Sequence, residues 1–325
     1  MSRLAVRAAL LPALCLLVLN AEPARAQDKK DTKIANLEKQ LAALQQQNAA
    51  LKQEVAALKT ANTQLQAALK KQTLPDPNVK TLQAAIDAYR HAGLVHVVIL
   101  TLKSDSSEGE IQSLIDDAYS QLSTIKTVRG AWAGKPSGKG TPDGVSDYTV
   151  ALVMAFDDAA GLKAYLNDPV HTKFADRHLK KWETPTVYDF EPKPPTAPPV
   201  DPTTLNAKTL QSTLDGYRGA GLVHVVTMKL KPDTSAGETQ ALIDAAYSQL
   251  PRIKAVRGLW VGKPAAKGSP NANADYNVAV VVLFDDAAGL KSFLNDPIHM
   301  KYTTGHIKKW EPAVVYDFEP KQPSP

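Results

Sequence analysis

Cysteine is almost absent. The 325-residue chain has one, Cys15, and it sits in an apolar run (Ala8 to Leu19) that follows Arg3 and Arg7 and precedes a small-x-small step, Ala24-Arg25-Ala26. This is the pattern of a cleaved export signal over residues 1–26, and Cys15 follows Leu14 rather than a small residue, so it does not read as a lipid acceptor. Past the signal the chain has no cysteine, which excludes disulfides, thiolate metal sites and cysteine nucleophiles. Long apolar runs are also missing. The signal's own run is too short to span a bilayer, so no transmembrane span is expected after cleavage.

Strong charge of one sign is lacking too. The formal net charge is +5, and removing Arg3, Arg7, Arg25 and Glu22 leaves 35 − 32 = +3. No basic run is interleaved with aromatics, so no nucleic-acid partner is expected. No H-x-x-x-H pair or carboxylate cluster suggests a metal. Gly138-Lys139-Gly140-Thr141 fails the phosphate-loop spacing and precedes no helix, so no nucleotide cofactor is expected. Residues 134–141 read instead as a flexible hairpin.

What the chain has in quantity is repetition. Lys80–Lys193 and Lys208–Lys321 align without a gap, at an offset of about 128 residues and roughly 60% identity. Each repeat is long enough to bury its own core. The linker between them is assigned to residues 194–207, and the proline-rich stretch Pro192 to Pro202 is a semi-extended spacer that at about 3 Å per residue reaches roughly 35 Å.

Ahead of the repeats, residues 31–72 carry heptads. Ile34, Leu41, Asn48, Val55, Asn62 and Leu69 fall at a, and Leu37, Leu44, Leu51, Leu58 and Leu65 at d. Leucine at d with asparagine at two a positions predicts a parallel two-stranded coiled coil, hence a homodimer, with a rod about 55 Å long at 1.5 Å per residue.

Within the first repeat, a short helix (Thr81 to Arg90) precedes an alternating strand (His96 to Lys103). A capping box, Ser107 to Glu110, then opens a helix, and it recurs as Ser235 to Glu238. Strands at 127–133 and 148–156 follow. Asp157-Asp158 and Asp168-Pro169 open two helical segments, and a strand from Thr186 to Glu191 closes the unit. The order β-α-β-β-α-β is ferredoxin-like, an α+β class. The apolar sheet faces need cover, so the two sheets are expected to face each other within one chain, burying Val98, Leu100, Val226 and Met228 between them.

With this order, the strand opening His96-Val97-Val98, the phrase Asn167-Asp168-Pro169-Val170-His171 and the ending Val187-Tyr188-Asp189-Phe190, each repeat resembles the stress-responsive A/B barrel (Dabb) family. The second copy matches with His224, Asn295-Asp296-Pro297-Ile298-His299 and Val315-Tyr316-Asp317-Phe318. The resemblance implies a dimeric α+β barrel whose two halves are both supplied by this chain. It also implies a candidate chemistry, an aldol-type polyketide cyclisation by a histidine pair and a tyrosine. His171 and His299 match the histidine of the Pro-x-His phrase, and Tyr165 matches the tyrosine. The partner histidine should follow a Tyr-Thr step on strand three, where this chain has Val150 and Val278, and Phe293 replaces the tyrosine in the second copy.

Read from the residues alone, His171 and His299 lie in a first helical turn, where the helix dipole disfavours imidazolium. A neutral imidazole there serves as a base or hydrogen-bond partner, or only packs the helix start. His96 and His224 on the first strands could face the barrel cavity or be tied core histidines. Trp132 and Trp260 could roof an apolar pocket or pack in the core. Tyr148 and Tyr276, heading strand three, are further candidate ligand contacts. His178 and His306 trail His171 and His299 by seven residues, about 10 Å along a helix, too far to share a metal. Three classes of function follow: an exported non-catalytic module for assembly or for binding an envelope partner; a cavity for a small hydrophobic ligand; or a cyclase-like or cofactor-free oxygenase-like enzyme. The rod and the duplication favour the first.

Overall fold

The computed structural model describes residues 33–63, 79–183, 185–194 and 207–321. The signal assigned to residues 1–26, the end of the heptad pattern (Leu65, Leu69) and most of the linker lie outside them. The chain divides into two compact units, residues 1–75 and 76–325. In the first, residues 33–63 form one continuous helix, α1. Its a and d side chains, from Ile34 at 45% to Leu58 at 63%, are exposed along a single chain.

The second unit holds both repeats. The first comprises α2 (Val79–Arg90), β1 (Leu94–Leu100), α3 (Glu108–Ser120), β2 (Val128–Pro136), β3 (Val150–Phe156), α4 (Ala159–Leu166), α5 (Pro169–His178) and β4 (Thr186–Pro192). The second repeats it as α6 (Ala207–Arg218), β5 (Leu222–Met228), α7 (Ala236–Gln249), β6 (Gly258–Pro264), β7 (Val278–Phe284), α8 (Ala287–Leu294), α9 (Pro297–His306) and β8 (Val314–Pro320). The local signals act as expected. Ser107 and Ser235 close full capping boxes, and Asp168 caps α5 by accepting from the Val170 amide at 2.8 Å, with Pro169 opening the helix.

Each repeat makes an antiparallel four-stranded sheet, ordered β4-β1-β3-β2 and β8-β5-β7-β6, and the sheets join edge to edge into one closed eight-stranded barrel. One seam pairs Gly134 of β2 with Pro320 of β8, the other Pro192 of β4 with Gly262 of β6. The pairing within one chain expected from the duplication is therefore what the topology shows. Among the described strands, closure leaves no sheet edge of full length open to a second chain.

The inner face is not the expected one. Val95, Val97 and Ile99 point into the barrel core with Val223 and Val225. Leu100 and Met228, flanked by the partly buried Val98 and Val226, belong instead to the layers between each sheet and its helices. The expectation failed because β1 and β5 are buried on both faces. A strand that is apolar on both faces does not announce which one meets a helix and which meets another sheet.

Two helices complete the inner core. Leu82, Ile86 and Tyr89 of α2 and Leu210, Leu214 and Tyr217 of α6 pack into it. Tyr89 stacks on Tyr217 with centroids 5.1 Å apart, and both rings lie against the paired Trp132 and Trp260. The α2–α6 pair thus caps the barrel.

Candidate functional site

The period-2 alternation that sends Val95 and Val97 inward sends His96 outward, towards the helices. It is paired in register with Asp189 on β4, and its Nδ1 lies 2.6 Å from Asp189 Oδ1 with both side chains buried. His224 and Asp317 repeat the contact at 2.6 Å. The histidines therefore do not face the barrel interior. They are core histidines, each tied to a carboxylate, and His96 Nδ1 also lies 3.5 Å from the Ser269 hydroxyl.

Each carboxylate is also held by the other repeat. The β6–β7 loop crosses over so that the Ser269 amide donates to Asp189 Oδ2, and the Tyr276 hydroxyl donates to the Asp189 carbonyl at 2.6 Å. In mirror fashion the β2–β3 loop brings the Thr141 amide to Asp317 Oδ2 at 2.5 Å and the Tyr148 hydroxyl to the Asp317 carbonyl at 2.7 Å. The stretch 134–141 is therefore no free hairpin but a clamp on the opposite repeat. Gly140 and Gly268 permit the approach, since a Cβ on either would stand within 3 Å of the aspartate. Burial drives the carboxyls of Asp189 and Asp317 upward. The histidine bond and charge and the loop amide outweigh it, leaving both below the ordinary carboxylate value.

Beyond His96 stands Tyr165 of α4, its ring 6.1 Å away, and Tyr165 packs on His171 of α5 at 4.5 Å. His171 Nδ1 is 3.2 Å from the Leu166 carbonyl, which directs that nitrogen's proton to the helix junction. Burial, then the charge of His96, lowers the His171 pKa below 6.5; burial does the same to His299. The Tyr165 hydroxyl is pushed up by burial alone and stays protonated. In the second repeat Phe293 takes the tyrosine's place between His224 and His299, at 6.1 and 4.4 Å.

The candidate residues thus fall into two compartments. His96, Tyr165 and His171, like His224 and His299, meet between sheet and helices. Trp132, Trp260, Tyr148 and Tyr276 lie inside the barrel. There the indole N–H groups of Trp132 and Trp260 donate to the Tyr217 and Tyr89 carbonyls at 2.9 and 2.7 Å, and these tryptophans are core, not the roof of a pocket. His178 lies further along α5, its ring 4.9 Å from Phe174 and its Nε2 2.9 Å from Asp117.

Sequence reasoning missed Asp189 and Asp317, although a signal was present: an acid within the otherwise apolar strand Val187-Tyr188-Asp189-Phe190 needs a buried partner. Chemically, an aspartate on Nδ1 orients an imidazole and leaves Nε2 to exchange protons. The strand-three position for a second base is Val150 or Val278, each fully buried. Among the described residues, no group of three or more His, Cys, Asp or Glu side chains is placed to hold a metal ion.

The family model for the stress responsive A/B barrel domain matches residues 94–192 and 222–320, the span from β1 to β4 and its repeat. The chain belongs to the stress-responsive A/B barrel family. Among solved structures, a proposed monooxygenase from Fusobacterium nucleatum is 10% identical, with a TM-score of 0.52 over 70% of this chain and 92% of that one. It shares the fold. A Dabb-family protein with a ferredoxin-like fold from Mesorhizobium loti is 29% identical over 31% of this chain and 96% of its own, with a TM-score of 0.27. A protein from Arabidopsis thaliana is 21% identical over 33% and 99%, with a TM-score of 0.28. No curated protein matches the chain. In this chain both halves of the barrel are supplied by one polypeptide.

Proposed function

We propose that this Dabb protein is an exported, non-catalytic module for assembly or for binding an envelope partner, dimerised through α1. The observation that carries the reading is the filled barrel: side chains of both sheets and of the α2–α6 cap occupy its interior. The rod supports it. Its exposed a and d stripe wants a second copy, and a parallel register sets Asn48 against Asn48 and brings Glu54 at g towards Lys59 at e of the mate. Export rests on residues 1–26. Among the described residues, no helix is long and apolar enough to cross a membrane.

A second reading is favoured by one observation, the Asp189-held His96 that meets Tyr165 and His171. It would make the first repeat a site for a small hydrophobic carbonyl ligand, or for the cyclase-like or oxygenase-like chemistry of related folds, with His171 and His299 as bases and Tyr165 as donor. Val150 and Phe293 argue against it, since one removes the second base and the other the hydroxyl of the second copy.

Thermal shifts of the full chain across a panel of hydrophobic carbonyl and aromatic metabolites separate the two. The module reading expects no shift. A ligand that stabilises the wild type but not the His171→Ala, His299→Ala double variant would overturn it in favour of the second.

A further inference from the structure

Beyond the end of β1 the backbone makes a short tie that recurs beyond β5. Leu102 forms an antiparallel bridge with Trp182, the Lys103 amide donates to the Lys181 carbonyl at 2.8 Å, and the Ser106 amide donates to the Lys103 carbonyl at 2.9 Å. The second repeat copies each contact. Leu230 bridges Trp310, Lys231 donates to Lys309 at 2.9 Å, and Thr234 donates to Lys231 at 2.9 Å. The turn that enters α3 or α7 is thereby fastened to the segment that leads into β4 or β8.

At this tie the hydrogen bonding is incomplete. The indole Nε1 of Trp182 and the hydroxyl of Ser106 are buried and have no hydrogen-bond partner among the described residues, and the same holds for Trp310 and Thr234. These are four of the six such side-chain atoms, and they alone recur at equivalent positions. Thr127 faces Ala255 in the alignment of the repeats, and Thr141 faces Ser269, whose hydroxyl lies 3.5 Å from His96. A deficit that appears twice in the same place is a property of the fold. The molecule does not treat indoles this way elsewhere, since Trp132 and Trp260 both donate to carbonyls.

The duplication also shows which chemistry is kept. Serine at 106 becomes threonine at 234, which retains the hydroxyl and adds a methyl group, whereas Ser104 in the same turn becomes Pro232 and loses its hydroxyl. A buried N–H or O–H without a partner destabilises a fold, and native structures seldom keep one. The indole only donates, while the hydroxyl both donates and accepts. Whatever completes them accepts from the first and bonds the second, and it is small, because both atoms are closed off from solvent. A cation would face the N–H dipole. The Lys181 ammonium, which could have drawn an anion, is engaged by Asp105 and Glu110, and Lys309 by Glu238. Water meets these conditions.

We propose that each repeat holds one buried water at this tie, accepting from the indole of Trp182 or Trp310 and bonded to the hydroxyl of Ser106 or Thr234. It bridges the entry of the first long helix to the entry of the last strand. The site is apart from the barrel interior and from the histidine compartments, so it is independent of the reading of the function.

The test has two parts. A high-resolution crystal structure of the full chain should show a water within about 3.2 Å of both Trp182 Nε1 and Ser106 Oγ, and another at Trp310 and Thr234. A direct bond between indole and hydroxyl, or no water at either place, would overturn the proposal. In solution, Thr234→Val removes the hydroxyl at nearly constant shape, and Trp310→Phe removes the N–H. Each should lower the urea midpoint of the full chain, and the double variant should lower it by less than the sum, because the water leaves together with both of its anchors. Strictly additive shifts would show that no bridge joins the two groups.

Discussion

His96 and Asp189 form a buried pair that the opposite repeat helps to hold. Each imidazole–carboxylate pair is buried and gains an amide bond from the opposite repeat, so removing one partner leaves the other unpaired. Asp189→Ala should cost about 3 kcal/mol, read as a lowered urea midpoint at pH 7. The pH dependence follows from the shifts. His171 and His299 titrate below their unfolded value of 6.5, so the unfolded chain binds more protons there and stability falls as pH drops beneath about 6.5. Asp189 and Asp317 titrate below 3.8, and the stability they provide above that value is lost on further acidification. Urea midpoints should therefore decline in two stages. The first should flatten in the His171→Gln, His299→Gln variant, and an unaltered decline there would place its origin elsewhere. His171 and its cap were legible because Asp168-Pro169 fixes a helix start locally. The aspartates stood out as acids in an apolar strand, but their partners could not be read, since these lie 93 residues away in the chain.

At the scale of elements, the capping boxes and the seams make different demands. Ser107 and Ser235 each satisfy one end of a helix locally, so Ser107→Ala and Ser235→Ala should each cost about 1 kcal/mol, and the distant pair should add. Thermal midpoints of the single and double variants check this. The seams depend on glycine for another reason. A Cβ on Gly134 would lie 1.9 Å from the Glu319 carbonyl oxygen, and one on Gly262 2.0 Å from that of Glu191. Gly134→Ala should therefore open the β2–β8 seam and cost at least about 3 kcal/mol, with faster amide exchange in Lys135 and Glu319 than in the β1–β3 ladder. Uniform exchange across the sheet would argue against a local opening. The strands themselves could be read from alternation, but not which of their faces meets the helices. That choice depends on α2 and α6 capping the inner core, a contact between residues more than 100 positions apart.

At the scale of the whole molecule, the duplication replaces a dimer by one chain, and α1 restores the possibility of pairing at another level. A chain beginning at Lys80 should sediment as a monomer, because both barrel seams are satisfied internally, whereas the full chain should be a dimer. Changing Asn48 and Asn62 to Leu should raise the melting temperature of the rod and broaden its oligomeric state, since the polar register lock is lost. A full chain that sediments as a monomer would remove the rod from the proposed assembly.

The order of elements, the helix starts, the repeat and the heptads were decided by the sequence alone, because each rests on neighbours within a few residues or on direct self-similarity. The tertiary structure decided the rest: that His96 turns from the barrel towards the helices, that Asp189 and Asp317 hold the histidines, and that each long loop clamps the opposite repeat. Burial and pairing at these places join residues far apart in the chain, and an apolar strand covered on both faces leaves no pattern from which the side can be read.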